Sequence, residues 1–221
     1  MTDKVAVLVD GGFYRKRAMK LFGAATPAAR ATELETYCHR HVGRDDLYRI
    51  FYYDCPPSDK QVYHPLTRKT VYLQNSDTYK WTMEFFNELI QKRKFALRKG
   101  ELLESSVGYN LKPRTVKKLC SGILRVEDLT EDDFTLDMQQ KGVDMRIGLD
   151  IASLANKRLV TKIVLIAGDS DFVPAAKHAR REGIDFVLDP MWQKIRPSLN
   201  EHIDGLRSVC PKPSAKNDPE K

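Results

Sequence analysis

The stretch Lys162–Phe172, KIVLIAGDSDF, constrains the fold more than any other part of the chain. Ile163 to Ala167 are apolar without interruption. A β-branched run of that length reads as a strand covered on both faces, as in a parallel sheet. It stops at Gly168. Asp169, Ser170 and Asp171 follow, and Phe172 opens a helical pattern. Two carboxylates are thereby set at the carboxyl end of a central strand, where open α/β sheets place their sites. Both ionised, they repel one another, and a cation relieves that repulsion. Hard divalent ions prefer such oxygen ligands.

A second strand of this kind, Lys4–Val9 (KVAVLV), ends on Asp10 and the pair Gly11-Gly12, before a basic helix carrying Arg15, Lys16, Arg17 and Lys20. Thr32–Val42 has helical spacing, with Thr32 and Glu35 forming a capping-box pattern. Leu47–Tyr53 is aromatic and β-branched, a strand ended by Asp54. Ser58–Asp77 reads as an irregular polar loop over the site, and Thr78–Lys92 as a helix. Phe95–Leu103 suits a strand or hairpin arm, and Tyr109–Leu124 has no clean period. In Lys141–Asn156, Gly142 precedes a helix with Ile147, Ile151 and Leu154 on one face and Asp144 in its first turn, where the helix dipole favours an anion. Asp150 lies about 240° round that helix from Asp144, which predicts a supporting role for it. A helix Phe172–Glu182, Gly183 and a strand Ile184–Leu188 follow.

Strands alternating with helices predict an α/β fold. The expected architecture is a doubly wound, mainly parallel sheet flanked by helices, with an insertion around 95–125. No repeat or linker divides the 221 residues. One domain is expected over 1–209, with a disordered tail at 210–221. No apolar run reaches the ~20 residues of a membrane span, so no membrane partner is expected. No signal peptide is recognisable, which favours the cytoplasm. Cys38, Cys55, Cys120 and Cys210 lack zinc-ligand spacing and read as free thiols. The net charge of +7 suits a polyanionic partner. The basic residues concentrate in Gln91–Lys118, and Glu127–Asp137 is acidic; a solvated surface and a binding face fit these runs equally well.

One Asp at a strand end or helix start ordinarily serves a turn or a cap. Asp10, Asp144, Asp169 and Asp171 together are different, because a doubly wound sheet brings those positions to one crevice. Other sites fit less well. The chain has no GxxxxGK[ST] and no GxGxxG after its first strand. A phosphatase of the haloacid-dehalogenase type needs a second acid two residues after Asp10, where Gly12 stands. A response-regulator receiver needs an acidic pair where the first strand supplies only Asp10. The five histidines are scattered.

Three blocks, VLVDGGFYRKRA, KGVDMRIGLDIA and VLIAGDSDFVPAAKHARREG, resemble in order and content the motifs of NYN-domain proteins in the PIN-like nuclease superfamily. The resemblance covers Lys4–Tyr53 and Phe134–Leu188 well and Phe95–Arg125 weakly. It implies a PIN-like, flavodoxin-like three-layer fold and metal-dependent endoribonuclease chemistry, with Asp10, Asp144, Asp169 and Asp171 at the family's four acidic positions. Many members carry Asn three residues after the first acid; this chain has Phe13.

Four carboxylates without a His or Cys base suit water activated by one or two Mg²⁺ or Mn²⁺ ions. Asp10 and Asp169 are the expected direct ligands, with Asp144 and Asp171 for a second ion or its waters. Ser170 is a candidate donor to a phosphate oxygen. Arg15, Lys16, Arg17 and Lys141 are candidates for holding the phosphates of RNA, single-stranded or structured. Assembly into a homo-oligomer stays open. Two alternatives remain: a non-catalytic RNA-binding protein on the same fold, and a structure-specific DNA nuclease.

Overall fold

A computed structural model describes residues 2–103, 107–138 and 140–213. Six parallel strands form the central sheet: β1 (Lys4–Asp10), β2 (Asp46–Asp54), β5 (Phe95–Lys99), β10 (Lys162–Ile166), β11 (Asp185–Asp189) and β12 (Gly205–Leu206). Their order is β12-β11-β10-β1-β2-β5. The chain builds outward from β1 through β2 to β5, then crosses back and builds outward on the other side from β10. The reversal falls between β1 and β10, with Val9 opposite Ile166.

The unbroken apolar runs follow from this placement, because both faces of each central strand are covered. Val5, Val7 and Val9 of β1 and Val164 and Ile166 of β10 enter one core. Three helices cover that face: α1 (Gly11–Phe22), α2 (Pro27–Val42) and α3 (Asp77–Gln91). Ala6, Leu8, Ile163 and Leu165 point the other way. They pack under α5 (Val143–Asn156) and α6 (Val173–Arg181), against Ile147, Ile151 and Ala176. Each fully buried Ile or Leu contributes about 1.5–3 kcal/mol. The result is a mixed α/β, three-layer PIN-like fold.

Several boundaries differ from the sequence reading. Phe95–Lys99 is an edge strand of the main sheet, paired with Ile50–Asp54, so the insertion begins only after it. Residues 58–77 contain a hairpin of β3 (Gln61–Tyr63) and β4 (Thr70–Tyr72). The helix expected from Thr32 starts at Pro27. The Thr26 hydroxyl accepts from the Ala29 amide at 3.3 Å, and Pro27 at the first helical position lacks the N–H that would go unsatisfied. In the insertion, β6 (Glu101–Leu102) pairs with β9 (Gln140–Lys141). There too β7 (Gly108–Leu111) pairs with β8 (Phe134–Asp137), and α4 (Pro113–Cys120) follows β7. A short α7 (Pro197–Asn200) precedes β12.

Of the expected tail, Cys210 is buried, accepting at Sγ from the Tyr37 hydroxyl and at its carbonyl from Trp192 Nε1; residues 214–221 lie outside the described residues. All four cysteines are free. Among the described residues no helix is long and apolar enough to cross a membrane.

Candidate active site

Three local devices set Asp10, Asp144 and the Asp169–Asp171 turn. Asp10 ends β1 and caps α1, its Oδ1 accepting from the Phe13 amide at 3.1 Å. The helix begins at once because Gly11 lets it lie against β2. A Cβ there would stand 2.5 Å from the Tyr52 ring and 2.6 Å from the Tyr53 carbonyl. Asp144 sits in the first turn of α5, which opens on Gly142 at φ 81, a left-handed conformation that glycine adopts freely. Asp169 follows β10 and caps a short 3₁₀ turn, its Oδ1 accepting from the Asp171 amide at 3.2 Å.

Their electrostatics bind them into one group around Asp144. Burial, above all, pushes the half-buried Asp10 up to about 6; Asp144 and Asp54 raise it further, and the amides of Phe13 and Gly12 oppose the rise. Asp144 is also raised, by desolvation first and then by Asp169 and Asp171. Asp144 therefore feels all three of the other acids, of which Asp10 ends β1 and Asp169 and Asp171 follow β10.

As hard oxygen donors, these carboxylates suit Mg²⁺ or Mn²⁺ in chemistry, and their mutual repulsion is what a cation would relieve. Among the described residues no three Asp, Glu, His or Cys side chains stand at the spacing of a formed metal site.

The expected phosphate-holding residues divide. Lys16 and Lys141 are exposed and Ser170 is half-buried. Arg17 is a correction: it is 4% exposed, and its Nε and Nη2 donate to the Met191 carbonyl at 3.2 and 2.5 Å. It ties α1 to the loop after β11 and is closed to a phosphate. Arg15 is turned inward, its Nε 2.9 Å from Asp54 Oδ2 and its Nη2 donating to Oδ1 at 3.1 Å.

Asp54 is the acid that sequence reasoning left out of the group. It is buried and accepts from the Tyr52 hydroxyl at 3.1 Å and the Cys55 amide at 2.9 Å. Burial raises its pKa despite Arg15. The signal was available, since LYRIFYYD ends on an acid as KVAVLVD does. Asp150 has the supporting role its helical angle implied, accepting from Tyr53 Oη at 2.8 Å and Arg98 Nε at 3.0 Å.

Phe13 packs on the glycine before Asp169. A Cβ at Gly168 would stand 2.5 Å from Phe13 Cε2 and 2.8 Å from Gln193 Nε2. The basic run of the insertion is faced by the acidic one. The Lys112 ammonium donates to the Asp132 carbonyl at 2.5 Å, and the Thr115 hydroxyl to Asp133 Oδ1 at 2.9 Å. His64, from the end of the β3–β4 hairpin, packs on Tyr109 and Phe134, ring centroids 4.4 and 5.1 Å away.

A six-stranded parallel sheet flanked by helices defines a protein of PIN-like fold. The chain matches the NYN domain family over residues 4–198 and belongs to it. Nothing among curated proteins matches it. Among solved structures it is similar to a protein of unknown function, VPA0982, from Vibrio parahaemolyticus RIMD 2210633. That likeness has 14% identity, covers 95% of this chain and 94% of the other, and has a TM-score of 0.49. A fainter likeness is to a noncanonic maltogenic alpha-amylase, AmyB, from Thermotoga neapolitana, with 8% identity over 91% of this chain and 48% of the other and a TM-score of 0.22. Neither carries a functional argument.

Proposed function

We propose that the protein is an endoribonuclease that hydrolyses RNA phosphodiester bonds with Mg²⁺ or Mn²⁺ at Asp10, Asp144, Asp169 and Asp171. The observation that supports this reading is the position of Asp10 at the end of β1 and of Asp169 and Asp171 just after β10, the two strands at the sheet's reversal, with Asp144 electrostatically coupled to all three. The nuclease-like character of the NYN family supports it.

Asp10 and Asp169 are the better placed to hold an ion, because each is fixed by a backbone amide on Oδ1. Asp144 and Asp171 are exposed and complete the set of oxygen donors. A bound divalent ion supplies an acidified water and neutralises charge on the phosphodiester. Lys16 and Lys141 hold flanking phosphates, which makes binding weaken with salt. The Ser170 hydroxyl donates to a phosphate oxygen. Arg15 acts through Asp54, as a positioning residue behind Asp10. The site of action in this reading is the cytoplasm.

Purified protein incubated with labelled single-stranded RNA, tRNA and DNA, with EDTA or added Mn²⁺, tests the proposal. Internal cuts in RNA that need the metal are the expected result. Retention of RNA without cleavage at any metal concentration would favour a non-catalytic RNA-binding role, and preferential cutting of DNA a DNA nuclease.

A further inference from the structure

The second half of α1, the link to α2 and the first turns of α3 line a cleft of about 390 Å³, within the ~300–1,000 Å³ of small-molecule sites. Met19, Ala24 and Trp81 give it apolar walls, and Arg15, Asp77 and Thr78 bring polar groups to it. The indole of Trp81 is held in place. Its Nε1 donates to the Ala25 carbonyl at 3.0 Å, and the buried ring of Phe85 stacks on it, centroids 5.1 Å apart and planes 21° apart. Met19, which also lines the cleft, is 57% exposed, an adaptable thioether edge. A fixed indole and a soft thioether in one cleft suit a flat heteroaromatic ring. Asp77 and Thr78 offer an acceptor and a hydroxyl to groups on that ring's rim.

The cleft lies along the helix that starts at the acids. Gly11, Arg15 and Met19 are four residues apart on one stripe of α1, so Arg15 is ~6 Å along the axis from the residue after Asp10. Arg15 both lines the cleft and pairs with Asp54. We propose that this cleft receives a nucleobase of the bound strand, one neighbouring the phosphodiester at the four acids. The proposal rests on the RNA reading above and adds a base-binding position to it.

The test titrates nucleoside 5′-monophosphates into the protein in EDTA. Trp81 fluorescence is followed in a Trp192→Phe background, which leaves one of the two tryptophans. Ribose 5-phosphate is the control without a base. Calorimetry on the unaltered chain reads the same binding should Trp192→Phe fold poorly. Saturable quenching with Kd on the order of 1 mM by the nucleotides, and none by ribose 5-phosphate, is expected for one stacked base.

Ala24 is exposed, so Ala24→Phe fills the cleft from the surface. It should abolish the quenching and raise KM for RNA about tenfold, with kcat nearly unchanged. Equal quenching by ribose 5-phosphate would overturn the proposal, as would an Ala24→Phe protein that binds nucleotides like the unaltered one. RNA cleavage without nucleotide binding would remove the cleft and keep the nuclease. Nucleotide binding lost in Ala24→Phe, in a protein that cuts no RNA, would keep the cleft and remove the nuclease.

Discussion

Arg15 and Asp54 form a largely buried ion pair, with Nε 2.9 Å from Oδ2, between the first helix and the end of the second strand. The Asp54 carboxylate is 1% exposed and the Arg15 side chain 26%. Removing one partner leaves the other charge desolvated and unpaired. Arg15→Met should therefore destabilise the protein by about 2–4 kcal/mol, toward the lower side because Arg15 keeps some solvent contact. The double variant Arg15→Met/Asp54→Asn should recover a large part of that loss. Urea unfolding of the three proteins checks it. A double variant no more stable than Arg15→Met would show that the pair's charges are not what matters.

Asp10 makes stability depend on pH in a definite direction. Its pKa rises from 3.8 to about 6 on folding, chiefly through burial. Between those values the folded chain holds a proton that the unfolded chain has released, so this contribution to stability falls as pH rises through the window. Above about pH 6 the ionised, half-buried carboxylate costs at most ~3 kcal/mol. Asn cannot ionise, and it keeps an acceptor for the Phe13 amide. In EDTA, Asp10→Asn should be more stable than the unaltered protein by about 1–3 kcal/mol at pH 7.5, and no more stable at pH 4. Denaturant melts at the two pH values decide it. A gain that persists at pH 4 would assign the effect to something other than charge.

Gly168 is held to glycine by contacts and not by its backbone. Gly168→Ala drives a methyl into the Phe13 ring and the Gln193 amide. Such overpacking costs about 1–3 kcal/mol. Phe13→Asn/Gly168→Ala should regain part of the loss, since a smaller side chain leaves room. Thermal unfolding of the single and double variants measures the coupling, and additive effects would show that Phe13 is not the obstacle.

Asp169→Asn tests the proposed chemistry directly. It keeps the size of the side chain and the acceptor for the Asp171 amide, and removes a charge that metal binding needs. The expected outcome is a loss of at least ~10² in the rate of metal-dependent RNA cleavage. The melting temperature in EDTA should be no lower than that of the unaltered protein, because Asp144 loses a repelling neighbour. Full activity in the variant would defeat the mechanism.

What was legible in the chain follows from where each residue's partners lie. β1 and β10 were readable because burial on both faces forces unbroken apolar runs, and the acids that end them stood out against those runs. The angle between Asp144 and Asp150 on α5 was enough to assign Asp150 a supporting place. Three-residue strands such as Gln61–Tyr63 are too short to show a period. The start of α2 was misplaced because Thr32 and Glu35 resemble a cap; Thr26 and Pro27 carry the real one. Arg15 and Arg17 look alike in sequence. Only the folded chain shows that one meets an acid 39 residues away and the other a carbonyl 174 residues away.

The pairing of β1 with β10 also sets the order in which the molecule can be made. Lys4 and Thr161, at the lower end of that pair, are 157 residues apart in the chain. Contacts of such separation form slowly, because a long loop must close before they reward it. On the ribosome, β1 and β2 can pair while one edge of β1 still awaits its neighbour. Through that interval Asp10 is present and Asp169 is not, since Asp169 follows the last residue of β10. The four acids thus exist as a set only after the sheet has closed around its first strand. A nascent or truncated chain lacking β10 carries no complete set of the four acids.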